Sequence, residues 1–111
     1  MTAAAEFSLE GKKVFVAGHK GMVGSAIARR LARENCTILT VDKRELDLGD
    51  QAKVHAWLAA NKPDAVFLAA ARVGGIHANN SRPAEFLYDN LAIQNAVIHG
   101  SSLAGVRKPL F

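Results

Sequence analysis

The apolar positions along the chain change period several times, and each change marks an element. Residues Lys12 to Ala17 are a short apolar run with Val14, Phe15 and Val16 at its centre, closed by Gly18. β-Branched and aromatic residues without polar alternation predict a buried strand. From Met22 the spacing becomes helical: Val23, Ala26, Ile27 and Leu31 share one face, and Arg29, Arg30, Arg33 and Glu34 take the other. Thr37 to Val41 predicts a second strand. Asp50 is placed to cap a second helix carrying Val54, Trp57 and Leu58 on one face, and this helix must stop near Asn61 because Lys62 precedes Pro63. Ala65 to Ala71 gives a third strand with no alternation at all, the pattern of a strand covered on both faces.

The connection Arg72 to Arg82 contains Gly74-Gly75 and Asn79-Asn80, both turn chemistries. Pro83 then opens a third helix, with Ser81 nearby as a capping candidate and Glu85 in its first turn. Its apolar residues Phe86, Leu87, Leu91, Ile93, Val97 and Ile98 exceed one narrow stripe, which predicts a helix that buries two faces. Gly105 ends it, and Val106 to Phe111 starts a fourth strand. That strand is expected beside the first, where Pro109 would withhold a ladder donor. The alternation predicts an α/β fold: a Rossmann-like, doubly wound parallel sheet with right-handed crossovers, incomplete at about three and a half β-α units, with an uncovered edge beside its first strand.

Composition narrows the function classes. A chain of 111 residues, 50% hydrophobic, has room for one folded domain and is no disordered tail. Its formal charge of +4 suits an anionic small ligand, whereas scattered basic residues and aromatics sequestered in apolar runs argue against a nucleic-acid surface. No apolar run approaches the roughly 20 residues of a membrane span. Residues 1–11 read as a flexible leader, since the Ala-rich start lacks the basic residues and long apolar core of a secretory signal. The single cysteine, Cys36, fits a reducing, cytoplasmic setting and reads as a small apolar packing residue rather than a reactive thiol.

Between the first strand and the first helix stands Gly18-His19-Lys20-Gly21-Met22-Val23-Gly24. In that context Gly18 permits a tight turn, Gly21 lets backbone N–H groups approach a pyrophosphate, and Gly24 lets the helix pack close to the sheet. The helix N-terminus adds its partial positive charge, reinforced by Lys20. Glycine triplets occur in plain turns as well, but the strand before and the amphipathic helix after favour dinucleotide binding. Residues 12–111 are therefore read as the N-terminal part of an NAD(P)-binding Rossmann domain. At the end of the second strand, Asp42 lies near the position where an acid holds the adenosine ribose of NAD. Lys43 and Arg44 follow at once, and cations there, joined by Lys20, would neutralise the 2′-phosphate of NADP. The two readings compete, and a solvated charged turn is a third. Asp47 and Leu48 could hold adenine by its amino edge and its face. Ala69-Ala70-Ala71 leaves room for a cofactor at the carboxyl edge of the sheet, though packing explains small residues there nearly as well. His77 is the histidine of the loops placed nearest a ligand; the four histidines show no metal-ligand spacing, and no metal is assigned.

With these segments in view, the sequence resembles the GDP-L-fucose synthases, NADP-dependent epimerase/reductases of the extended short-chain dehydrogenase/reductase superfamily. The resemblance is carried by Val14 to Ile27, by Arg44-Glu45-Leu46-Asp47-Leu48, by Leu68 to Asn80 with its Val-Gly-Gly-Ile-His-Ala-Asn-Asn stretch, and by Pro83-Ala84-Glu85-Phe86 and Asn90-Leu91 to Ile98. It implies a cytoplasmic oxidoreductase and isomerase of nucleotide-sugar metabolism. Such an enzyme epimerises GDP-4-keto-6-deoxy-D-mannose and then reduces it with NADPH to GDP-L-fucose. It implies cofactor contacts at Gly18, His19, Lys20, Gly21, Met22, Val23 and Gly24, at Lys43, Arg44, Glu45, Leu46, Asp47 and Leu48, and at Ala69, Ala70 and Ala71, with Lys43 the cation for the 2′-phosphate. The loop Val73 to Asn80 would lie close to the nicotinamide and the sugar, and the helix after Pro83 would form a homodimer contact. No membrane or nucleic-acid partner is implied.

The family's catalytic Tyr-x-x-x-Lys does not occur in these residues, because Tyr88 has Ala92 four positions on, and Cys36 lies on the wrong side of the fold to act in epimerisation. No catalytic residue is therefore assigned, and the 111 residues are expected to be inactive alone. They read as the phosphate-binding part of a larger enzyme, or alternatively as a stand-alone non-catalytic NAD(P)-binding module or part of another nucleotide-sugar epimerase or dehydratase.

Overall fold

In the structure, a computed structural model, residues 8–70 and 83–110 are described. The elements run β1 (Lys13–Ala17), α1 (Met22–Leu31), β2 (Thr37–Leu39), α2 (Gln51–Asn61), β3 (Ala65–Leu68), α3 (Pro83–Ala104) and β4 (Lys108–Leu110). All strand pairs are parallel, in the order β2-β1-β3-β4. The loop 72–82, with Ser81, His77 and the Val73 to Asn80 stretch, lies outside the described residues.

Successive residues of β1 point to opposite faces and meet two separate cores. Val14 and Val16 pack with Leu31, Ala65 and the half-buried Ile27 and Cys36 under α1. Phe15 and Ala17 join Val54, Leu58, Val66, Ala96 and Val97 beneath α2 and α3. Trp57 of α2 packs on Phe15 with ring centroids 4.4 Å apart and the planes tilted by 42°. β1 and β3 thus carry apolar residues on both faces because both faces are covered.

The fourth strand corrects the sequence expectation. It pairs with β3, Val66 opposite Pro109, and not with β1, whose two sides are taken by β2 and β3. The reason is handedness. A right-handed crossover through a helix on one face lays the next strand to one side, and a helix on the other face lays it to the opposite side. α1 covers one face and takes the chain from β1 to β2; α2 covers the other and carries it back past β1 to β3. α3 shares the face of α2, so β4 continues outward. Pro109 accordingly sits on the end strand of the described sheet, where a missing donor is tolerated.

The local signals at helix ends act as read. The Asp50 side chain accepts from the Lys53 N–H at 3.2 Å at the start of α2, and Lys62 closes that helix in the left-handed region at φ 46°. Gly105, at φ 76°, closes α3. The strands are shorter than expected: β2 ends at Leu39 and β3 at Leu68. β1 turns away at Gly18, leaving only the bond from Ala69 N–H to the Ala17 carbonyl to extend the ladder. Residues before position 12 already meet the fold, since Gly11 N–H donates to the Asn35 carbonyl at 2.6 Å and Leu9 packs against the α1-side core. α3 buries one face, through Ala96, Val97, Gly100 and Ser101, whereas Leu87, Leu91 and Ile98 stay exposed on another.

Candidate functional site

The carboxyl ends of β1, β2 and β3 open into one cleft of about 250 Å³. It lies where β1 sends the chain to one side and β3 to the other, the crevice in which parallel α/β sheets take ligands. Gly18, His19, Lys20 and Gly21 line it from β1, Val41, Asp42, Lys43, Leu46, Asp47 and Leu48 from the segment after β2, Ala69 and Ala70 from β3, and Ile93 from α3.

Close backbone packing builds the glycine loop. Gly18 sits at φ 89°, and a Cβ there would lie 2.6 Å from the Ala70 backbone nitrogen. A Cβ on Gly24 would run into the Gly18 carbonyl, so only glycine lets α1 start this close to the turn. Gly21 differs: a side chain there would meet nothing nearer than 3.5 Å, and its open side leaves backbone free to be approached. Gly21 is also the N-cap of α1 and supplies no side-chain acceptor. The first intrahelical bond is Ser25 N–H to the Gly21 carbonyl at 2.8 Å, so the preceding N–H groups have no intrahelical acceptor and constitute a donor set for an anion.

The second wall is a folded-back turn. Glu45 and Leu46 N–H groups both donate to the Asp42 carbonyl at 2.9 Å, which tucks Leu46 into the core. Asp47 Oδ1 accepts from the Gly49 N–H at 2.9 Å. Across the cleft the Lys20 ammonium pairs with Asp42 Oδ2, and Asp42 Oδ1 accepts from the Arg44 N–H at 3.1 Å. The hydrogen bond from Lys20, and then that from Arg44, hold the Asp42 carboxyl below its ordinary value. A lowered folded-state value means that this contact contributes above the ordinary aspartate range and is lost as pH falls through the lowered value. Among the described residues Lys43 makes no ion pair.

Ten of the residues expected from sequence line the cleft: Gly18, His19, Lys20, Gly21, Lys43, Leu46, Asp47, Leu48, Ala69 and Ala70. Gly24 is buried beneath the loop, while Met22 and Val23 are exposed on the first turn of α1, outside the lining. Arg44 and Glu45 are exposed beside it, and Ala71 lies outside the described residues. Asp42, weighed from sequence as a ribose acid, is part of the wall, as are Val41 and Ile93, which sequence reasoning missed. Nothing in the pattern of α3 points Ile93 to the cleft; only its packing across the sheet does. Cys36 lies away from the site, half-buried, its Sγ 3.7 Å from the Leu31 carbonyl, and burial followed by the Glu34 charge pushes its thiol up. Among the described residues no three His, Cys, Asp or Glu side chains gather as for a metal, and no helix is long and apolar enough to cross a membrane.

Comparison with known proteins places this geometry. The chain is 52% identical over 105 residues to a GDP-L-fucose synthase of Sinorhizobium fredii, covering 95% of this chain and 33% of that protein. It is 48% identical over 101 residues to the GDP-L-fucose synthase of Escherichia coli, covering 90% and 32%. Among solved structures it superposes on a GDP-D-glycero-L-gluco-heptose synthase from Campylobacter jejuni, determined in the presence of NADPH, with a TM-score of 0.86 and 38% identity over 96% of this chain and 31% of that one. A GDP-mannoheptose C4 reductase from the same organism, with NADP bound, gives 0.84 and 38%, covering 94% and 33%. The chain spans about a third of the length of the curated relatives it matches. Residues 14–111 match the family model outright: the chain belongs to the NAD dependent epimerase/dehydratase family.

Proposed function

We propose that the cleft holds NADP(H) and that these residues are the cofactor-binding portion of a GDP-L-fucose synthase. The observation that carries the reading is the convergence of an uncapped helix N-terminus, an open Gly21 and the two cations Lys20 and Lys43 on one crevice. Gly18 to Gly21 and the first N–H groups of α1 would cradle the pyrophosphate, with Met22, Val23 and Gly24 contributing backbone alone. Lys43, supported by Lys20 and flanked by Arg44, would take the 2′-phosphate. Leu48 would pack on the adenosine with Leu46 behind it in the core, Asp47 would accept from the adenine amino group, and Glu45 would line the outer turn. Ala69 and Ala70, with Ala71, would let the cofactor pass toward the sugar.

When bound, NADPH supplies the hydride that reduces the 4-keto group. In the complete enzyme the substrate would be GDP-4-keto-6-deoxy-D-mannose, epimerised and then reduced to GDP-L-fucose. The names of the relatives at about 50% identity support that sugar, whereas the GDP-heptose enzymes at 38% identity favour a second reading, a different GDP-linked keto-sugar. These residues carry no Tyr-x-x-x-Lys and would not turn over the sugar alone. The protein would act in the cytoplasm as a homodimer joined through α3.

Calorimetric titration of NADPH and NADH into the chain tests the assignment. One charge-assisted hydrogen bond to the 2′-phosphate, about 1.5 kcal/mol, would favour NADPH by about tenfold. Equal affinities would overturn the assignment of Lys20 and Lys43.

A further inference from the structure

Asp42 and Lys43 are neighbours in sequence, both line the cleft, and they favour opposite cofactors. A carboxylate at the end of the second strand accepts from a ribose diol and repels a 2′-phosphate, while an ammonium attracts it. The contacts of Asp42 tie its charge to a cation of the site. Both its oxygens are engaged, Oδ2 by the Lys20 ammonium and Oδ1 by the Arg44 N–H at 3.1 Å, so its charge is spent on the glycine loop and its own turn. Lys20 reaches it from the glycine loop, and the pair therefore bridges two walls of the crevice. Its partners are 71% and 31% exposed. An exposed pair of that kind is weak and readily exchanged. A phosphate group carries a charge of about −1.5 to −2 with three acceptor oxygens and outcompetes a single carboxylate for an ammonium.

We propose that Asp42 is a positioning residue for cofactor selection: it holds Lys20 across the cleft and yields that ammonium to the 2′-phosphate of NADPH. The proposal rests on the reading of the cleft as an NADP(H) site. The exchange has a consequence in sign. If Lys20 moves to the phosphate, Asp42 keeps its Arg44 hydrogen bond but loses its counter-charge, and its negative charge then opposes that of the phosphate. Asp42 thus limits the preference for NADPH that Lys20 and Lys43 create. NADH carries no 2′-phosphate, does not draw Lys20 away, and is indifferent to the change.

Titration of NADPH and NADH into the 111-residue chain and its variants tests this. Asp42→Asn keeps an oxygen for the Arg44 N–H and removes the charge, as does Asp42→Ser, and circular dichroism checks that each is folded. Both should bind NADPH about fivefold more tightly, the effect expected of one unit charge at close range in water, and NADH within about twofold of the parent. Lys20→Met should weaken NADPH selectively, and Asp42→Asn should gain less in that background than in the parent. Unchanged or weaker NADPH binding by both Asp42 variants would overturn the exchange while leaving the cleft reading in place. An equal gain in the Lys20→Met background would assign Asp42 to bare repulsion and overturn its action through Lys20. A parent chain that binds neither dinucleotide would overturn the cleft reading and the exchange with it.

Discussion

Three glycines in the first loop look alike in sequence and do different work in the structure. Gly18 needs its positive φ, Gly24 needs the absence of a Cβ against the Gly18 carbonyl, and Gly21 has room for a side chain. Gly24→Ala should therefore cost about 1–3 kcal/mol, the usual range for overpacking, read as a lower midpoint in urea unfolding. The tight turn at Gly18 was legible because a strand entering a helix through a short turn demands it, and the need for a close approach at Gly24 was legible too, although the atom approached is the Gly18 carbonyl of the loop and not the sheet. The partner of Asp42 was not: its neighbours in sequence suggested ribose or repulsion, and only the approach of two distant loops shows that Lys20 occupies it. Ile93 was illegible for the same reason, since its place in the wall depends on how a helix far along the chain lies over the sheet.

At the level of elements, capping chemistry carried most of the information. Asp50 and Gly105 mark helix ends because each satisfies backbone groups or a backbone conformation that the neighbouring residues cannot. Strand ends were less legible. β3 stops opposite Ala17, where β1 stops, but β2 stops opposite Phe15, two residues earlier, and beyond the last bond from Ala69 N–H to the Ala17 carbonyl the chain turns into the cleft although its composition would continue the strand. One element end carries strain: Lys62 adopts the left-handed conformation at φ 46° to hand α2 on to Pro63. That conformation costs an L-residue roughly 1–2 kcal/mol, part of which glycine forfeits through the freedom of its unfolded chain. Lys62→Gly should accordingly stabilise the protein by about 0.5–1 kcal/mol, visible as a rise in the thermal unfolding midpoint.

Across the whole molecule, the alternation of strands and helices announced a parallel sheet, but not the order of its strands. Order depends on which face each helix covers, and apolar periodicity says only that a helix has an inner face, not where that face points. α3 shows the same limit from the other side. Its apolar residues outnumber what one face needs, and the structure divides them: Ala96 and Val97 lie in the core, whereas Leu87, Leu91 and Ile98 form an exposed stripe along the helix. If that stripe joins two copies, Leu91→Arg should convert a dimer to a monomer in sedimentation velocity without altering the circular dichroism of the folded chain. A parent chain that sediments as a monomer at micromolar concentration would remove α3 from that role.

The contact between Trp57 and Phe15 gives the fold a spectroscopic handle. Trp57 is the chain's one tryptophan, and the ring beneath it belongs to the strand that runs directly into the glycine loop. Its emission therefore reports on a single environment, with no other indole to average against. Loss of the α2–β1 packing would bring water to that indole and shift its emission to the red. Reduced nicotinamide absorbs in the band where tryptophan emits and its oxidised form does not, so quenching by energy transfer would distinguish the two redox states of a cofactor held in the cleft without any added label.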